Sequence, residues 1–291
     1  MRLRHASWIE GLATLGRPFD SGRLHPPLFD MVTPKRIVLK FGTGILTRTD
    51  TPEPDPVQLR KLVEAVALLK RAGHSCIVVS SGAVASGLQP LGLAERPGDI
   101  ASLQACAAVG QTHLMYQYES LLRDHGLHVA QLLVTHEDLA AEERSSRFKA
   151  TLERLLAFPN VVPVINENDS VAIEELRFGD NDKLSSSVAR LWEADLLILL
   201  TSAPGLMRDM KRPEEGPIPV VVDVDAIIHH AEEAKTKLGT GGMISKLRAV
   251  QEAVRGGVEC LIASGRHPEQ IPDLVIGKGI CTRFPVAKLE V

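Results

Sequence analysis

The chain has 291 residues, of which 44% are hydrophobic and 24% are charged, and its formal net charge is −3. These values are ordinary for a globular protein with a substantial core. A near-neutral charge balance disfavours a general nucleic-acid-binding protein, which usually carries a basic face. The longest aliphatic stretch, residues 196–200, is far too short to cross a membrane. We therefore expect neither a nucleic-acid partner nor a membrane association.

The cysteine pattern indicates a reducing compartment. Cys76, Cys106, Cys260 and Cys281 form no CxxC pair, and no cysteine–histidine cluster has the spacing of a zinc site. Most of these cysteines lie in apolar or strand-like segments, where cysteine behaves as a small hydrophobic residue. We expect all four to be reduced and the protein to be cytoplasmic.

The N-terminal region differs in character from the rest of the chain. We expect residues 1–34 to form a flexible extension. Arg2 and Arg4 resemble the basic start of a signal peptide, but Glu10 interrupts the apolar segment that should follow. Met31 comes just before the first clear strand, so it is an alternative start of the protein.

Strands and helices alternate from Lys35 onward. Apolar segments predict strands at 37–41, 75–81, 128–134, 161–165, 195–201, 219–224 and 259–263. Helical spacing predicts helices at 55–72, 99–123, 143–157 and 182–192, one after residue 224, and one that ends near 255. Short apolar strands that alternate with helices are typical of a parallel sheet covered by helices. We therefore predict an α/β fold with an open, mainly parallel β-sheet sandwiched by helices in three αβα layers.

Ligands of such sheets bind beyond the carboxyl ends of the strands, so the loops that follow the strands form the candidate site. Residues 40–44 (KFGTG) combine a lysine with glycines, whose backbone can approach a phosphate closely. Residues 80–83 (SSGA) offer hydroxyl and backbone N–H groups to an anion. A tight turn with a solvated lysine explains the first loop as simply, and a helix N-cap explains the second.

The richest polar region combines residues 166–169 (NEND) with residues 179–183 (GDNDK). Carboxylates in this region would suit the ammonium group of a zwitterionic amino acid, and amides would suit its carboxylate. A loop capped by Asn and Asp side chains is the simpler alternative. A metal site is a third interpretation, but it requires several carboxylates in octahedral geometry. The residues alone leave these alternatives open.

Residues 239–246 (GTGGMISK) form the fourth loop, in which glycines open a helix and a lysine follows one turn later. This arrangement suits an anion, although a solvated lysine is the alternative. The four loops together supply two lysines and a carboxylate/amide cluster without a histidine base. Phosphoryl transfer fits this set, because it depends on positioning and charge more than on covalent chemistry. The chain has no Walker A sequence, no complete GxGxxG and no protein-kinase motif.

The same loops resemble the amino acid kinase family, and within it the glutamate 5-kinase branch. The matching segments are KFGTG (40–44), SSGAVASG (80–87), PVINENDSV (163–171), FGDND (178–182) and GTGGMISK (239–246). They occur in that family's order and approximate spacing over residues 35–283. NEND followed by GDND is the most specific part of the resemblance, because the glycine-rich pieces are shared across the wider family.

The resemblance implies a kinase domain at 35–291, with a glutamate-binding lobe at 35–200 and a nucleotide-binding lobe at 201–291. It implies transfer of a phosphoryl group from ATP to the γ-carboxylate of L-glutamate. The product would be γ-glutamyl phosphate, the first intermediate toward proline. It also implies inhibition by proline and a homo-oligomer. Mg²⁺ would arrive through the ATP phosphates rather than on dedicated protein ligands.

The resemblance also assigns individual residues. Lys40 and Lys246 match the catalytic lysines, and Asp182 matches the aspartate that holds them. The glutamate-binding positions are Ser81, Asp169 and Asn181. The nucleotide-binding positions are Lys40, Gly42, Thr43, Thr201, Ser202, Thr240, Gly241, Gly242, Met243 and Lys246.

Two departures from the family pattern matter. The nucleotide strand usually ends in Thr-Asp, whereas this chain has Thr201-Ser202. Many relatives carry a C-terminal module that resembles RNA-binding domains, and we expect this chain, which ends at Val291, to lack that module. Two alternatives to a glutamate kinase follow: a related kinase for another small anion, and a non-catalytic sensor of amino acids.

Overall fold

The computed structural model of the chain describes residues 33–172, 181–208, 212–233 and 241–286. The described residues lie within one compact unit of the chain. The expected extension at 1–34 falls almost wholly outside the described residues. Among the described helices, none combines the length and the apolar character that a membrane span needs.

A seven-stranded sheet forms the centre of the described structure. The strands are β1 (Arg36–Phe41), β2 (Ser75–Ser80), β3 (His128–Val134), β4 (Val161–Glu167), β5 (Leu196–Thr201), β6 (Glu259–Ser264) and β7 (Cys281–Phe284). Their order across the sheet is β3-β4-β2-β1-β5-β6-β7. All neighbouring strands run parallel except β6 and β7. The predicted open, mainly parallel sheet is therefore confirmed.

Helices cover both faces of this sheet. They are α1 (Thr43–Leu46), α2 (Pro56–Arg71), α3 (Ala83–Leu88), α4 (Ile100–Arg123), α5 (His136–Ala140), α6 (Glu142–Leu156), α7 (Asn181–Leu191), α8 (Val224–Glu233), α9 (Gly241–Arg255) and α10 (Ile271–Val275). Helices α2, α4 and α10 share a hydrophobic core with one face of the sheet. Helices α6, α7, α8 and α9 share a second core with the opposite face. The three αβα layers are thus confirmed.

The strand order creates a switch point between β1 and β5. From β1 the chain adds β2, then the edge strand β3, and then β4 between β2 and β3. It then crosses back to build β5, β6 and β7 on the other side of β1. The two central strands stay in register up to the pair Phe41 and Leu200, so they end at the same level. Sheets of this type bind ligands in the crevice beyond such a switch point.

The last part of the sheet differs from the sequence prediction. The predicted strand at 219–224 is wrong, because this segment makes only one isolated parallel bridge, between Val220 and Arg283. Asp223 ends the apolar run by accepting a hydrogen bond from the Ala226 N–H at 2.9 Å, which begins α8. The antiparallel edge strand β7, which the sequence analysis did not predict, occupies the edge of the sheet instead.

The four cysteines are free, as expected, and Cys76, Cys106 and Cys260 are buried in the core. Burial raises the pKa of the Cys76 thiol to about 12, so that thiol stays protonated and unreactive at neutral pH. The cysteines therefore act as small core residues.

Helices α3 and α4 cross at very short range because two glycines face the contact. A Cβ atom built on Gly110 would lie 1.8 Å from the Ala83 carbonyl oxygen and 2.5 Å from the Gly87 nitrogen. A Cβ atom on Gly87 would lie 1.9 Å from the Cys106 carbonyl oxygen. Only glycine fits at either position, so this contact fixes the position of α4 beside the ends of β2 and β4.

The substitution Gly110→Ala tests this close contact. Alanine is intrinsically better than glycine in a helix by about 1 kcal/mol, so propensity alone would stabilise the protein. Crowding against the α3 backbone should outweigh that gain and lower the free energy of unfolding by about 1–3 kcal/mol. Urea denaturation measures the change. Gly98→Ala is the control, because a Cβ at Gly98 meets no atom within 4 Å. A Gly110→Ala variant as stable as the control would contradict the described packing.

Candidate active site

Two lysines converge on one carboxylate beyond the switch point. The Lys40 Nζ atom lies 2.7 Å from Asp182 Oδ1, and the Lys246 Nζ atom lies 3.0 Å from Asp182 Oδ2. Side chains alternate along β1, so Val38 and Lys40 point to the layer that contains α7 and α9. Asp182 lies in the first turn of α7, and Lys246 lies in the second turn of α9. The three predicted catalytic residues are therefore brought together.

The ion pair between Lys40 and Asp182 is almost completely buried. The side chains of Lys40 and Asp182 are only 4% and 3% exposed. Burial alone would raise the pKa of Asp182, but the charges of Lys40 and Lys246 outweigh burial and hold its pKa below the ordinary value. Two ammonium groups against one carboxylate leave a net positive charge of one. The charge of this cluster therefore suits an anionic ligand.

A buried network of amides surrounds Asn181, the residue before this aspartate. The Asn181 Nδ2 atom lies 3.0 Å from the Ser80 carbonyl oxygen, 3.0 Å from Ser81 Oγ and 2.8 Å from Asn166 Oδ1. Asn166 in turn donates through Nδ2 to Gln111 Oε1 at 2.9 Å. The predicted pair Ser81 and Asn181 is therefore in direct contact, and α4 supports the contact through Gln111.

A second group on α4 supports the loop after β2. The Ser80 hydroxyl lies 2.9 Å from the Tyr118 hydroxyl and donates to the Ser81 carbonyl oxygen at 3.0 Å. Since Ser80 has one hydroxyl proton, Tyr118 is the donor in their contact. Burial raises the pKa of Tyr118, which keeps its hydroxyl protonated for that role. Tyr118 on α4 thus supports the backbone at Ser81 through Ser80.

Asp169 lies in a separate cleft between α4 and the strands β3 and β4. The cleft has a volume of about 230 Å³, and its walls include Gln111, Glu167 and Asp169. Asp169 is 7% exposed, and its Oδ1 atom has no hydrogen-bond partner within the described structure. Burial raises the pKa of Asp169 to about 6, against the opposing charge of Arg96. A buried carboxylate oxygen without a hydrogen-bond partner suits a donor group of a cationic ligand.

The predicted nucleotide-binding residues lie at the ends of β1 and β5 and at the start of α9. Gly42 and Thr43 open α1, and a Cβ at Gly42 would come within 3.8 Å of the Leu200 carbonyl oxygen. Thr201 is half-buried at the end of β5, and Ser202 is exposed. The first turn of α9 contains Gly241, Gly242 and Met243, whereas Thr240 lies outside the described residues.

The described residues contain no group of three or more His, Cys, Asp or Glu side chains that could hold a metal ion. The metal-site interpretation of the NEND and GDND loops therefore receives no support from residues 166–169, 181 and 182. Residues 173–180, which include the first half of GDND, lie outside the described part of the chain.

Two supporting residues, Gln111 and Tyr118, were missed by sequence analysis. Both lie on the apolar stripe of α4, together with Ala107 and Leu114. A glutamine at a core position of an amphipathic helix is the signal that could have identified the first. Tyr118 carries no such signal, because tyrosine is common in protein cores.

A parallel α/β sheet that presents two lysines and a bridging carboxylate at its switch point fits the class of small-molecule phosphotransferases. The model of the amino acid kinase family matches residues 35–264. The chain belongs to this family.

The relatives agree with that placement. Glutamate 5-kinase of Geobacter sulfurreducens is 41% identical over 253 residues, which cover 86% of this chain and 67% of the relative. Glutamate 5-kinases of Thermus thermophilus and Chromobacterium violaceum are 44% and 45% identical, over 86% and 87% of this chain and 67% and 68% of the relatives. The matched part thus spans about two thirds of each relative.

Solved structures confirm the fold. Carbamate kinase from Giardia superposes with a TM-score of 0.60 at 16% identity and covers 88% of this chain and 100% of its own. The Giardia lamblia enzyme bound to AMP-PNP matches with the same score over 87% of this chain and 98% of its own. At this identity the similarity concerns the fold.

The substitution Asp182→Asn tests the ion pair. It leaves two ammonium groups together without their counter-charge, so we expect the free energy of unfolding to fall by about 3 kcal/mol. Lys183→Ala is the matched control, because Lys183 is exposed beside Asp182 and should change stability by less than about 0.5 kcal/mol. Equal stability of the two variants would contradict the described pair.

The pH dependence of the stability difference between the wild type and Asp182→Asn gives a second test of the role of Asp182. Its pKa is lower in the folded than in the unfolded protein, so its stabilising effect is complete above its ordinary pKa of 3.8. The stability difference between the wild type and Asp182→Asn should stay constant from pH 8 to about 5. It should shrink as the pH falls below 3.8 and should be lost once the pH lies below the lowered pKa of the folded protein.

Proposed function

We propose that this protein transfers the γ-phosphoryl group of ATP to the γ-carboxylate of L-glutamate, the first step of proline synthesis. The observation that carries the proposal is the cluster of Lys40, Lys246 and Asp182, which leaves one positive charge at the switch point. The relatives named glutamate 5-kinase support the choice of substrate.

The chemistry needs no general base. The γ-carboxylate of glutamate is already ionised at neutral pH. One of its oxygens attacks the γ-phosphorus, a new P–O bond forms, and the bond from that phosphorus to the bridging oxygen of ADP breaks. Lys40 and Lys246 neutralise the oxygens of the transferring group, and Asp182 holds both ammonium groups in place. The product is γ-glutamyl phosphate.

The acceptor end of the site lies on the side of β2 and β4. Asp169 provides a carboxylate for the ammonium group of glutamate. The Oδ1 atom of Asn181 is a buried acceptor without a partner in the described structure, and it suits the same group. Ser81, whose Oγ accepts a hydrogen bond from Asn181 Nδ2, follows β2, the strand between β4 and β1. These contacts support a glutamate-binding lobe at 35–200.

The nucleotide would occupy the other side of the switch point, in a lobe at 201–291. Gly42 and Thr43 would face its phosphates from β1, and Thr201 with Ser202 would face it from β5. Residues 240–243 would complete the site beside Lys246. Mg²⁺ would enter together with ATP and would supply positive charge to its phosphates.

Proline shares the ammonium and α-carboxylate groups of glutamate, so we also propose that it competes for the Asp169 cleft. A titration of proline should raise the apparent KM for glutamate, and a rate that stays flat up to millimolar proline would reject the idea.

That the protein is a homo-oligomer stays a prediction. Measuring the mass of the protein in solution tests it.

Trapping with hydroxylamine tests the proposed reaction. Purified protein with MgATP, L-glutamate and hydroxylamine should form γ-glutamyl hydroxamate, and aspartate or N-acetylglutamate should give little product. Lys40→Ala should lower kcat at least tenfold, a loss of roughly 1.4 kcal/mol or more in transition-state stabilisation. Lys183→Ala should keep the wild-type rate. An acceptor other than glutamate, or an active Lys40→Ala variant, would overturn the assignment.

The raised pKa of Asp169 predicts a pH effect on glutamate binding. With a pKa of about 6, the carboxyl is largely protonated at pH 5 and largely ionised at pH 7. Only the ionised form attracts an ammonium group, so the KM for glutamate should fall roughly tenfold between pH 5 and pH 7. The KM for ATP should not follow this change. Asp169→Asn should have a high glutamate KM at both pH values; a wild-type-like pH profile in that variant would exclude Asp169.

A further inference from the structure

The side-chain amide of Gln111 makes a hydrogen bond through its oxygen but not through its nitrogen. Gln111 is 8% exposed on the buried stripe of α4, and its Oε1 atom accepts a hydrogen bond from Asn166 Nδ2 at 2.9 Å. Its Nε2 atom is fully buried and has no hydrogen-bond partner within the described structure. A buried N–H group without a partner is costly, so native proteins retain few of them.

The surrounding network fixes which end of the amide is left over. Asn166 Oδ1 accepts the Glu167 N–H at 2.9 Å and lies 2.8 Å from Asn181 Nδ2. Asn166 must therefore donate a hydrogen bond to Gln111 through Nδ2, and Gln111 must accept it through its carbonyl oxygen. The orientation of the Gln111 amide follows from these contacts, and its N–H groups are the donors that remain.

The residues that carry the unsatisfied donor and an unsatisfied acceptor line the same cleft. Gln111 and Asp169 both contribute to the walls of the cleft of about 230 Å³ between α4 and the strands β3 and β4. Asp169 Oδ1 is also buried without a partner within the described structure. A donor and a carboxylate acceptor around one space complement a ligand that has both a carboxylate and an ammonium group, as an α-amino acid does.

We propose that Gln111 is a specificity-determining residue, whose Nε2–H group binds the α-carboxylate of the amino-acid substrate while Asp169 binds the α-ammonium group. This inference rests on the proposed function and adds to it the residue that recognises the α-carboxylate. The cleft follows β4 and the lysines follow β1, two strands away, or about 10 Å across the sheet. Glutamate bound with its α-end in the cleft extends its γ-carboxylate toward the lysines.

The test separates recognition of the α-carboxylate from mere support of Asn166. The ligands are L-glutamate, glutarate, which lacks the ammonium group, and 4-aminobutyrate, which lacks the α-carboxylate. The variants are Gln111→Ala and Gln111→Glu. The Gln111→Glu side chain keeps an oxygen that can accept a hydrogen bond from Asn166, but it places a negative charge where the N–H groups were. Gln117→Ala, on another face of α4, is the control for changes in the helix.

In Gln111→Ala, the KM for glutamate and the inhibition constant of glutarate should both rise about 10- to 100-fold. The inhibition constant of 4-aminobutyrate and the KM for ATP should stay within about twofold, because neither involves the α-carboxylate contact. Gln111→Glu should weaken glutamate and glutarate further, because like charges repel. Gln117→Ala should match the wild type.

Two results would overturn the inference while leaving the proposed function intact. Equal weakening of all three ligands would make Gln111 a structural support only. A Gln111→Glu variant with the wild-type KM for glutamate would exclude a contact with the α-carboxylate. A wild-type protein that forms no glutamyl hydroxamate would instead overturn the proposed function, and this inference with it.

Discussion

The carboxylate of Asp182, shared between Lys40 and Lys246, is the interaction on which the rest of the site depends. It joins the central strand β1 to helices α7 and α9, which approach the sheet on the same face. Charges are costly to bury, and here both lysines contact the one carboxylate of opposite sign. The one excess positive charge is what makes the end of β1 suitable for a transferring phosphoryl group.

Helix α4 has the complementary role of holding the acceptor side rigid. Gly110 lets the helix approach α3 closely, and this contact places Gln111 and Tyr118 beneath the loops that follow β2 and β4. The hydrogen bonds from α4 reach Ser80 and Asn166, and through Asn166 they reach Asn181. Because Asn181 precedes Asp182 in the chain, the amide network and the ion pair form one connected unit.

Much of this architecture could be predicted from sequence, because parallel strands gather their following loops at one edge. That rule alone brought Lys40 near the loop that contains Asp182. Sequence could not predict the contribution of α4, because its buried polar residues resemble ordinary core positions until their partners are known. The strand predicted at 219–224 was wrong for a related reason. An apolar run shows a strand's composition, but the Asp223 cap and the competing edge strand β7 decide the pairing.

Isotope transfer tests the central claim most directly, since the account requires the glutamate γ-carboxylate to attack phosphorus at the two lysines. The wild-type protein would be incubated with MgATP and with glutamate that carries ¹⁸O in its γ-carboxylate. Hydroxylamine would then be added, and the mass of the released phosphate would be measured by mass spectrometry. Hydroxylamine attacks the acyl carbon, so the bridging oxygen leaves with phosphate. We predict phosphate with one ¹⁸O atom. Unlabelled phosphate would mean that water, not glutamate, accepts the phosphoryl group, and would contradict the account.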